Sequence, residues 1–197
     1  NEGYTQQIDH AVRVRPRGDL QVDSVLVAPL IEVAPVAILR GSGTLDGTLR
    51  NAGLLRPGFF DGEGVRQLDI TRKRLTVTGP VHLAAGATLE TTVFGVGGSV
   101  EAPSDNASQV FVGATGTVAA GAAIVPIVRG TKVRNREAFR IMRNTSGGAV
   151  FDALPAVGAA PSALLDWSLY ATGEGDLAIL AVPGDLDALP WRSGGGR

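Results

Sequence analysis

Apolar and polar residues alternate over many short stretches of the chain. Examples are Val12-Arg13-Val14-Arg15, Leu20-Gln21-Val22-Asp23 and Leu75-Thr76-Val77-Thr78. A period of two residues is typical of strands with one buried face. Apolar spacing of three and four residues is never sustained over the roughly ten residues that a helix needs. The pattern therefore predicts an all-β protein with at most one short helix.

Glycine residues punctuate these stretches, so the predicted strands are separated by only a few residues. Strands that follow one another so closely form a sandwich, a barrel or a solenoid. A recurrent Gly-x-Leu or Gly-x-x-Leu unit, at 43–45, 47–49, 53–55 and 86–89, favours the solenoid. In such a unit the glycine turns the chain and the leucine enters a narrow core. Aromatic residues are scarce before Phe139, which also suits a thin aliphatic core.

Three longer polar or glycine-rich segments interrupt this rhythm, at 56–67, 95–108 and 129–137. In a solenoid, such segments are expected to project sideways without disturbing the stack. The strand pattern stops after Val182, and a glycine-rich tail follows. We therefore divide the chain into N-terminal strands at 1–37, a main repetitive region at 38–182 and a linker or tail at 183–197. The N-terminal strands are expected to form further coils or a cap.

Composition narrows the range of functions. The chain has 197 residues, of which 44% are hydrophobic and 19% charged, so it has enough apolar side chains for a core. Eighteen basic residues face nineteen acidic ones, and nucleic acid is therefore not an expected partner. The absence of cysteine excludes disulfides, thiolate zinc sites and cysteine nucleophiles. No stretch reaches the roughly 18 apolar residues of a membrane helix.

Little in the sequence indicates catalysis. His10 stands in a polar segment, and His82 stands in an alternating strand from which its side chain is expected to face solvent. The Gly-x-Ser-x-Gly turn that often presents a serine nucleophile is absent. We therefore predict a protein that is not an enzyme, with no catalytic residue, no cofactor and no bound metal.

Two features could bind a ligand. The loop that contains Phe59, Phe60, Asp61 and Glu63 places two acids beside two aromatic residues, an arrangement that could hold a sugar. A turn whose phenylalanines cover the core is the simpler explanation. Arginines also cluster at 13–17 and 129–143, where they could contact acidic polysaccharide or lipopolysaccharide. Solvated strand faces and one basic loop are the simpler explanation of these arginines.

The order of segments along the chain carries a family resemblance. The glycine-punctuated run 38–58 ends in an Asn51-Ala52-Gly53 step and a Pro57-Gly58 turn. Paired strands around small-residue turns follow at 75–93 and 110–128, and further strands are predicted at 139–151 and 165–182. This succession resembles the C-terminal part of the passenger domain of bacterial autotransporters, the part just before the outer-membrane barrel.

The resemblance implies a right-handed parallel β-helix over 38–182 with an autochaperone-like end. It also implies a non-enzymatic, adhesin-like module that is secreted or displayed on the outer face of the bacterial outer membrane. The implied partner is the protein's own outer-membrane translocator barrel. A host receptor or a polysaccharide is a further expected ligand, and the module is expected to be a monomer.

Large apolar side chains concentrate toward the C-terminal end of this region. Each coil of a stack gains stability only from its neighbours, so a stable end is needed as a nucleus. Burial of one Phe or Leu is worth about 1.5–3 kcal/mol, and several such residues offset the ordering entropy of a few coils. The predicted folding nucleus consists of Phe139, Ile141, Phe151, Leu165, Trp167, Leu169, Tyr170, Leu177, Ile179 and Leu180.

Two alternatives remain open. A carbohydrate-active β-helix, such as a polysaccharide lyase, a hydrolase or a tailspike-like protein, would carry acids together with Arg or Lys on one exposed strand face. A β-sandwich binding domain would instead pair the Gly-x-Leu segments antiparallel across two facing sheets.

Overall fold

The computed structural model describes residues 5–58, 73–129, 132–146, 156–157 and 165–184. Within these ranges the chain forms strands and no helix, so the predicted all-β class is confirmed and the one short helix allowed by the sequence is not found there. This described part accordingly contains no helix that could cross a membrane. The strands are β1 (Thr5–Gln7), β2 (Val12–Val14), β3 (Asp19–Gln21), β4 (Val25–Val33), β5 (Ile38–Gly41), β6 (Thr44–Asn51), β7 (Leu54–Pro57), β8 (Arg74–Val77), β9 (Val81–Leu83), β10 (Thr88–Val93), β11 (Gln109–Val112), β12 (Gly116–Val118), β13 (Ala123–Val128), β14 (Ala138–Asn144), β15 (Ala156–Val157), β16 (Leu165–Ala171) and β17 (Leu177–Pro183).

Most strands pair in parallel, and their registers place them in three ladders. The first ladder contains β1, β4, β6, β8, β11 and β14 in that order. The second contains β2, the later halves of β4 and β6, then β9 and β12. The third contains β3, β5, β7, β10, β13 and β15. The chain thus visits the three ladders in turn and repeats the circuit, an arrangement that is compatible with a β-helix.

Alternating apolar residues form columns in the core. In the third ladder, Leu39, Leu55, Leu89 and Ile124 stand in register on successive strands, and all four are fully buried. The leucines of the Gly-x-Leu units therefore enter a thin aliphatic core, as predicted. Matching buried columns line the other two ladders, with Leu26, Leu45, Val77 and Val112 in the first and Ile31, Leu49 and Val81 in the second.

Glycine lets neighbouring strands approach closely at the points where the chain turns. At Gly47 the backbone has φ +149°, and a Cβ atom would lie 1.8 Å from the carbonyl oxygen of Ala28 on the preceding passage. Gly41 has φ +133°, and its Cβ would lie 1.9 Å from the carbonyl oxygen of Val22. The glycines of the repeat therefore permit both the bend and the close stacking.

The directions in which the strands pair bear on the choice between a parallel β-helix and a β-sandwich. The Gly-x-Leu units pair in parallel with the strands beside them, whereas a β-sandwich pairs its strands antiparallel. In the first ladder, however, the parallel order ends at β14, because β17 pairs antiparallel with β14, and β16 pairs antiparallel with β17. A parallel β-helix was expected to continue to 182, and this expectation is wrong for the last two strands. The turn between β16 and β17 is too short for the crossover that parallel neighbours require.

Candidate functional site: the C-terminal cap

The last two strands form an antiparallel hairpin, which we call the capping hairpin (β16, β17 and the turn 172–176). The turn is closed by Thr172, whose N–H donates to the carbonyl oxygen of Asp176 (2.8 Å) and whose Oγ1 accepts from the Asp176 N–H (3.1 Å). Gly175 supplies the left-handed position of this turn, with φ +79°. Together with β14, the capping hairpin makes a three-stranded antiparallel sheet at the end of the first ladder.

The inner face of this sheet closes the aliphatic core. Register places Phe139 opposite Ile179, and Ile179 opposite Leu169, so their side chains lie on the same face. The indole of Trp167 meets the Phe139 ring edge-on, with centroids 6.1 Å apart and planes at 80°. Phe139 and Ile179 are fully buried, and Trp167 is nearly so. Aromatic side chains thus cover the end of a core that is otherwise aliphatic.

The outer face of the same sheet carries a buried charge. Arg140 stands beside Ala178 in the cross-strand register, and Ala178 stands beside Tyr170. The guanidinium of Arg140, whose side chain is only 13% exposed, lies 2.6 Å from the Asp176 carboxylate and 2.7 Å from the Asp105 carboxylate. The Asp176 side chain is 2% exposed, and its other oxygen accepts a hydrogen bond from the Asn144 N–H (2.8 Å). Arg140 therefore joins the capping hairpin to a second segment that contains Asp105.

That second segment is residues 94–108, which we call the bridging loop. It was expected to project sideways, but it folds back onto the first half of β14. Gly98 and Ala138 exchange two backbone hydrogen bonds of 2.9 Å each, and the Arg140 N–H donates to the Ser104 carbonyl oxygen (2.9 Å). The Tyr170 hydroxyl donates to the Val100 carbonyl oxygen (3.1 Å). The bridging loop thereby pairs with the half of β14 that β11 does not reach.

Asp105 is held by several donors. The Gln109 amide donates to its carboxylate (3.0 Å), and Arg143 lies 3.6 Å from it. Lys73, which directly precedes β8, donates to the Asp105 carbonyl oxygen. Gln109 also donates to the Arg140 carbonyl oxygen (3.0 Å). The cluster of Lys73, Asp105, Gln109, Arg140, Arg143 and Asp176 therefore connects β8, the bridging loop, β11, β14 and the capping hairpin.

The electrostatics of this cluster favour its charged form. Burial alone would raise the pKa of Asp105, but hydrogen bonds from Gln109 and Arg140 and the charges of Arg140 and Arg143 outweigh it, so the pKa lies below its usual value. Burial would lower the pKa of Arg140, but Asp105, Asp176 and Glu174 raise it. Burial raises the pKa of Tyr170, which the nearby Arg140 charge partly opposes. The folded state thus favours the charged forms of Asp105 and Arg140 and the neutral form of Tyr170.

Most of the residues predicted as the folding nucleus come together in this region. Phe139, Ile141, Trp167, Leu177 and Ile179 belong to the buried core, and Leu165 and Leu169 pack against it as half-buried residues. Tyr170 and Leu180 are half-buried on the outer face of the sheet. Phe151 lies outside the described residues, as do Phe59, Phe60, Asp61 and Glu63 of the predicted ligand loop.

Sequence reasoning missed the polar half of the site. The sequence pattern predicts solvated strand faces and one basic loop for the arginines of 129–143, which include Arg140 and Arg143, and it indicates no role for Asp105 or Asp176. Asp105 and Arg140 are 35 residues apart, so no local pattern links them. One signal was present: each of these charges stands in or beside a strongly apolar strand, where an unpaired charge would be costly.

The two histidines differ in their exposure to solvent. His10 is exposed, whereas His82 is half-buried, and its Nδ1 lies 2.6 Å from Thr117 Oγ1 on the next strand. The expectation that His82 faces solvent freely is therefore only partly met. In the parts of the chain that are described, no group of three His, Asp or Glu side chains could hold a metal ion.

No family model, curated protein or solved structure matches this chain.

Proposed function

We propose that the three ladders form a right-handed parallel β-helix that is closed at its C-terminal end by the capping hairpin. Support comes from the repeated circuit of the chain and from the columns of aliphatic residues that stand in register. The right hand follows from the general rule that crossovers between parallel strands of one sheet are right-handed in about 98% of cases. Residues 5–37 continue the same ladders, so we assign them to the first coils.

The chain's function, in this proposal, is that of a structural and folding module in an autotransporter passenger. The capping hairpin and the bridging loop nucleate folding of the coils. One observation carries the proposal: the stack of parallel strands ends in an antiparallel hairpin that an aromatic core and a buried ion cluster both hold in place. This end combines Phe139 and Trp167 in the core with the contacts that Arg140 makes to Asp105 and Asp176.

Loop entropy favours the capping hairpin as the first part of this end to form. Partners within the ladders are from 16 residues apart, at Ile38 and Leu54, to 35 residues apart, at Val81 and Gly116. The capping hairpin begins instead from Ala171 and Leu177, which face each other across a short turn. The entropy of closing that turn is lower by about 1.5 kcal/mol than that of closing a 35-residue circuit. A third strand, β14, supplies the support that an isolated hairpin lacks in water, and its pairing with β17 closes a loop as long as a ladder circuit, since Met142 and Leu177 are 35 residues apart.

Such a nucleus suits secretion through an outer membrane. The C-terminal segment of a passenger is linked to its translocator barrel, which we propose as the partner in the full-length protein. When the capping hairpin and β14 fold on the external face, they present a free strand edge on which the next coil can stack. Because a folded coil cannot slide back, each added coil biases movement outward. The proposed location is therefore the cell surface or the external medium.

The ion cluster around Arg140 does not support the enzymatic alternative, which predicts acids together with Arg or Lys on one exposed strand face. Acids and arginines do meet in one cluster, but Asp176 and Arg140 are buried and neutralise each other rather than facing a polymer. A lyase or hydrolase needs charged groups that a sugar chain can reach. The described cluster fits a role in holding segments together.

Two buried isoleucines provide a matched test of the nucleus. Ile179 in β17 and Ile31 in β4 are both fully buried, so Ile179→Ala and Ile31→Ala should each lower the free energy of unfolding by about 2–5 kcal/mol. We expect Ile179→Ala to slow refolding with a φ-value above about 0.5, and Ile31→Ala mainly to speed unfolding. Equal φ-values at both positions, or a larger one at Ile31, would refute a C-terminal nucleus.

A second experiment tests the link to secretion. The 197-residue chain is placed before the translocator barrel of a bacterial autotransporter, and its exposure on the cell surface is measured by protease accessibility. Ile179→Ala should reduce surface exposure more than Ile31→Ala, although both variants lose similar stability. Equal surface exposure of the two variants would remove the support for a role in secretion.

A further inference from the structure

The second ladder presents a column of polar side chains on its outer face. Arg13 stands in register with Glu32, Glu32 with Arg50, Arg50 with His82, and His82 with Thr117. Adjacent strands are about 4.8 Å apart, so the column extends for about 19 Å across five strands. It lies on a different part of the molecule from the capping hairpin.

A groove runs beside this column. One hollow of 460 Å³ extends from Arg13 and Arg15 to His82, and a second of 410 Å³ continues from His82 past Thr117. The two hollows share His82 and Ala84. The floor of the groove is formed by small residues where each strand ends, namely Ala34, Ala52, Ala84 and Ala119. Val14, Val33, Leu83 and Val118 also line the groove but are buried, so we call the four alanines its floor.

The groove carries an excess of positive charge, although the whole chain has a net charge of -1. Glu32 lies 2.6 Å from Arg13 and offsets the positive charge of that arginine. Arg15 and Arg50 are exposed, and neither forms an ion pair with any residue that the structure describes. The Nε2 atom of His82 likewise has no hydrogen-bond partner within the described ranges, because only Nδ1 meets Thr117. The groove thus offers donors that an anionic ligand would satisfy.

We propose that this groove binds an acidic oligosaccharide that carries carboxylate or sulfate groups. Arg50 would pair with one acid group, because the guanidinium fork matches a carboxylate or sulfate in geometry. Arg15, exposed in the same hollow and without an ion pair among the described residues, would pair with a second acid group. The alanine floor leaves room for flat sugar rings. The arginines of 13–17 therefore act as more than a solvated strand face.

Backbone geometry favours a glycan over an acidic peptide. An extended peptide usually gains its affinity from main-chain hydrogen bonds to a free strand edge. Along the middle of the groove, the backbone groups of β4, β6 and β9 already pair on both sides. This part of the groove therefore offers only side chains, which suits a ligand recognised through its acid and hydroxyl groups.

Calorimetric titration of the 197-residue chain with tetragalacturonate and with a heparin-derived tetrasaccharide tests this proposal. We expect at least one of them to bind, more weakly as the ionic strength rises from about 0.01 M to about 0.15 M, because the Debye length falls from about 30 Å to about 8 Å. Neutral maltotetraose should not bind. The two acidic probes distinguish a carboxylate-bearing from a sulfate-bearing ligand.

Matched variants locate the binding site. Arg50→Gln should weaken binding about tenfold, which is the loss of one charge-assisted hydrogen-bond pair. Ala84→Leu, which fills the floor without changing charge, should weaken it at least as much. The controls are Arg129→Gln, an exposed arginine outside the groove, and Ala85→Leu, the neighbouring residue in a different hollow. Both controls should bind like the parent chain, and all four variants should unfold at the parent's temperature.

Several results would overturn the proposal. Failure of both acidic tetrasaccharides to bind is one, and equal weakening by Arg50→Gln and Arg129→Gln, which would indicate diffuse charge attraction, is another. Unchanged binding by Ala84→Leu would place the ligand outside the groove. Equal or tighter binding of a tetraglutamate peptide, lost in the same variants, would assign the groove to acidic peptides instead.

Discussion

The Arg140 guanidinium lies 2.6 Å from the Asp176 carboxylate, and both side chains are almost completely removed from solvent. This ion pair connects β14, the last strand of the first parallel ladder, to the turn of the capping hairpin. The same guanidinium reaches Asp105 in the bridging loop. Three segments that are distant in sequence are therefore held by one side chain, at the end of the stack where we place the folding nucleus.

Loss of the Arg140 side chain should lower the free energy of unfolding substantially. Arg140→Gln leaves Asp176 buried without its opposite charge, so we expect the free energy of unfolding to fall by about 3 kcal/mol. Arg143→Gln is the matched control, because that side chain is 39% exposed and lies 3.6 Å from Asp105. It should cost about 1 kcal/mol or less. Urea denaturation measures both free energies of unfolding. Equal losses in the two variants would show that the buried pair contributes no more to stability than the exposed arginine does.

Trp167 should contribute more to stability than an aromatic residue outside the core. Trp167→Ala removes the edge-on contact with Phe139 and opens a cavity at the end of the core, so a loss of about 3–5 kcal/mol is expected. The comparison is Phe111→Ala, since Phe111 is half-buried on an outer strand face beneath the guanidinium of Arg74. Its loss should be about 1 kcal/mol. Thermal unfolding compares the two variants. A lower stability of Phe111→Ala than of Trp167→Ala would contradict the larger contribution of Trp167.

The lowered pKa of Asp105 predicts a pH dependence of stability. A carboxylate whose pKa is lower in the folded state stabilises the fold above its unfolded pKa of about 3.9, and this contribution is lost as the pH falls through the folded pKa. Asp105→Asn should therefore be less stable than the parent chain at pH 7 by about 1 kcal/mol, and the difference should shrink between about pH 5 and pH 2.

The control for this pH dependence is Asp166→Asn, since Asp166 is an exposed acid of β16 outside the ion cluster. Its stability should follow that of the parent at every pH. If Asp105→Asn differed from the parent by the same amount at pH 7 and at pH 2, the ion cluster would not be the source of acid sensitivity.

Close stacking of the coils predicts a difference between two glycines that both have positive φ. At Gly47 an added Cβ would collide with the Ala28 carbonyl oxygen, whereas at Gly86, with φ +81°, it would meet nothing within 4 Å. Gly86→Ala should cost about 1 kcal/mol for backbone strain alone. Gly47→Ala should cost about 3 kcal/mol or more, because strands must also move apart. Similar losses by chemical denaturation would contradict the close approach at Gly47.

Much of the fold could be predicted from local pattern. The alternation around Leu45 and Leu49 indicates strands, and the adjacent glycines indicate turns, because both signals depend on neighbouring residues only. The apolar runs of β16 and β17 do not indicate their direction, since apolar strands of either direction look alike; only the short segment 172–176 between them indicates antiparallel pairing. The pairing of Asp105 with Arg140 depends on how a loop folds back across 35 residues, which no local period encodes.

The central claim is that the C-terminal cap folds before the coils that stack on it. Pulsed hydrogen exchange during refolding of the full chain, read by mass spectrometry of peptides, tests this claim most directly. We predict that amides of β14, β16 and β17 become protected first, and that those of β4 and β6 follow. Protection of β4 and β6 before the capping hairpin, or simultaneous protection of all strands, would contradict the account.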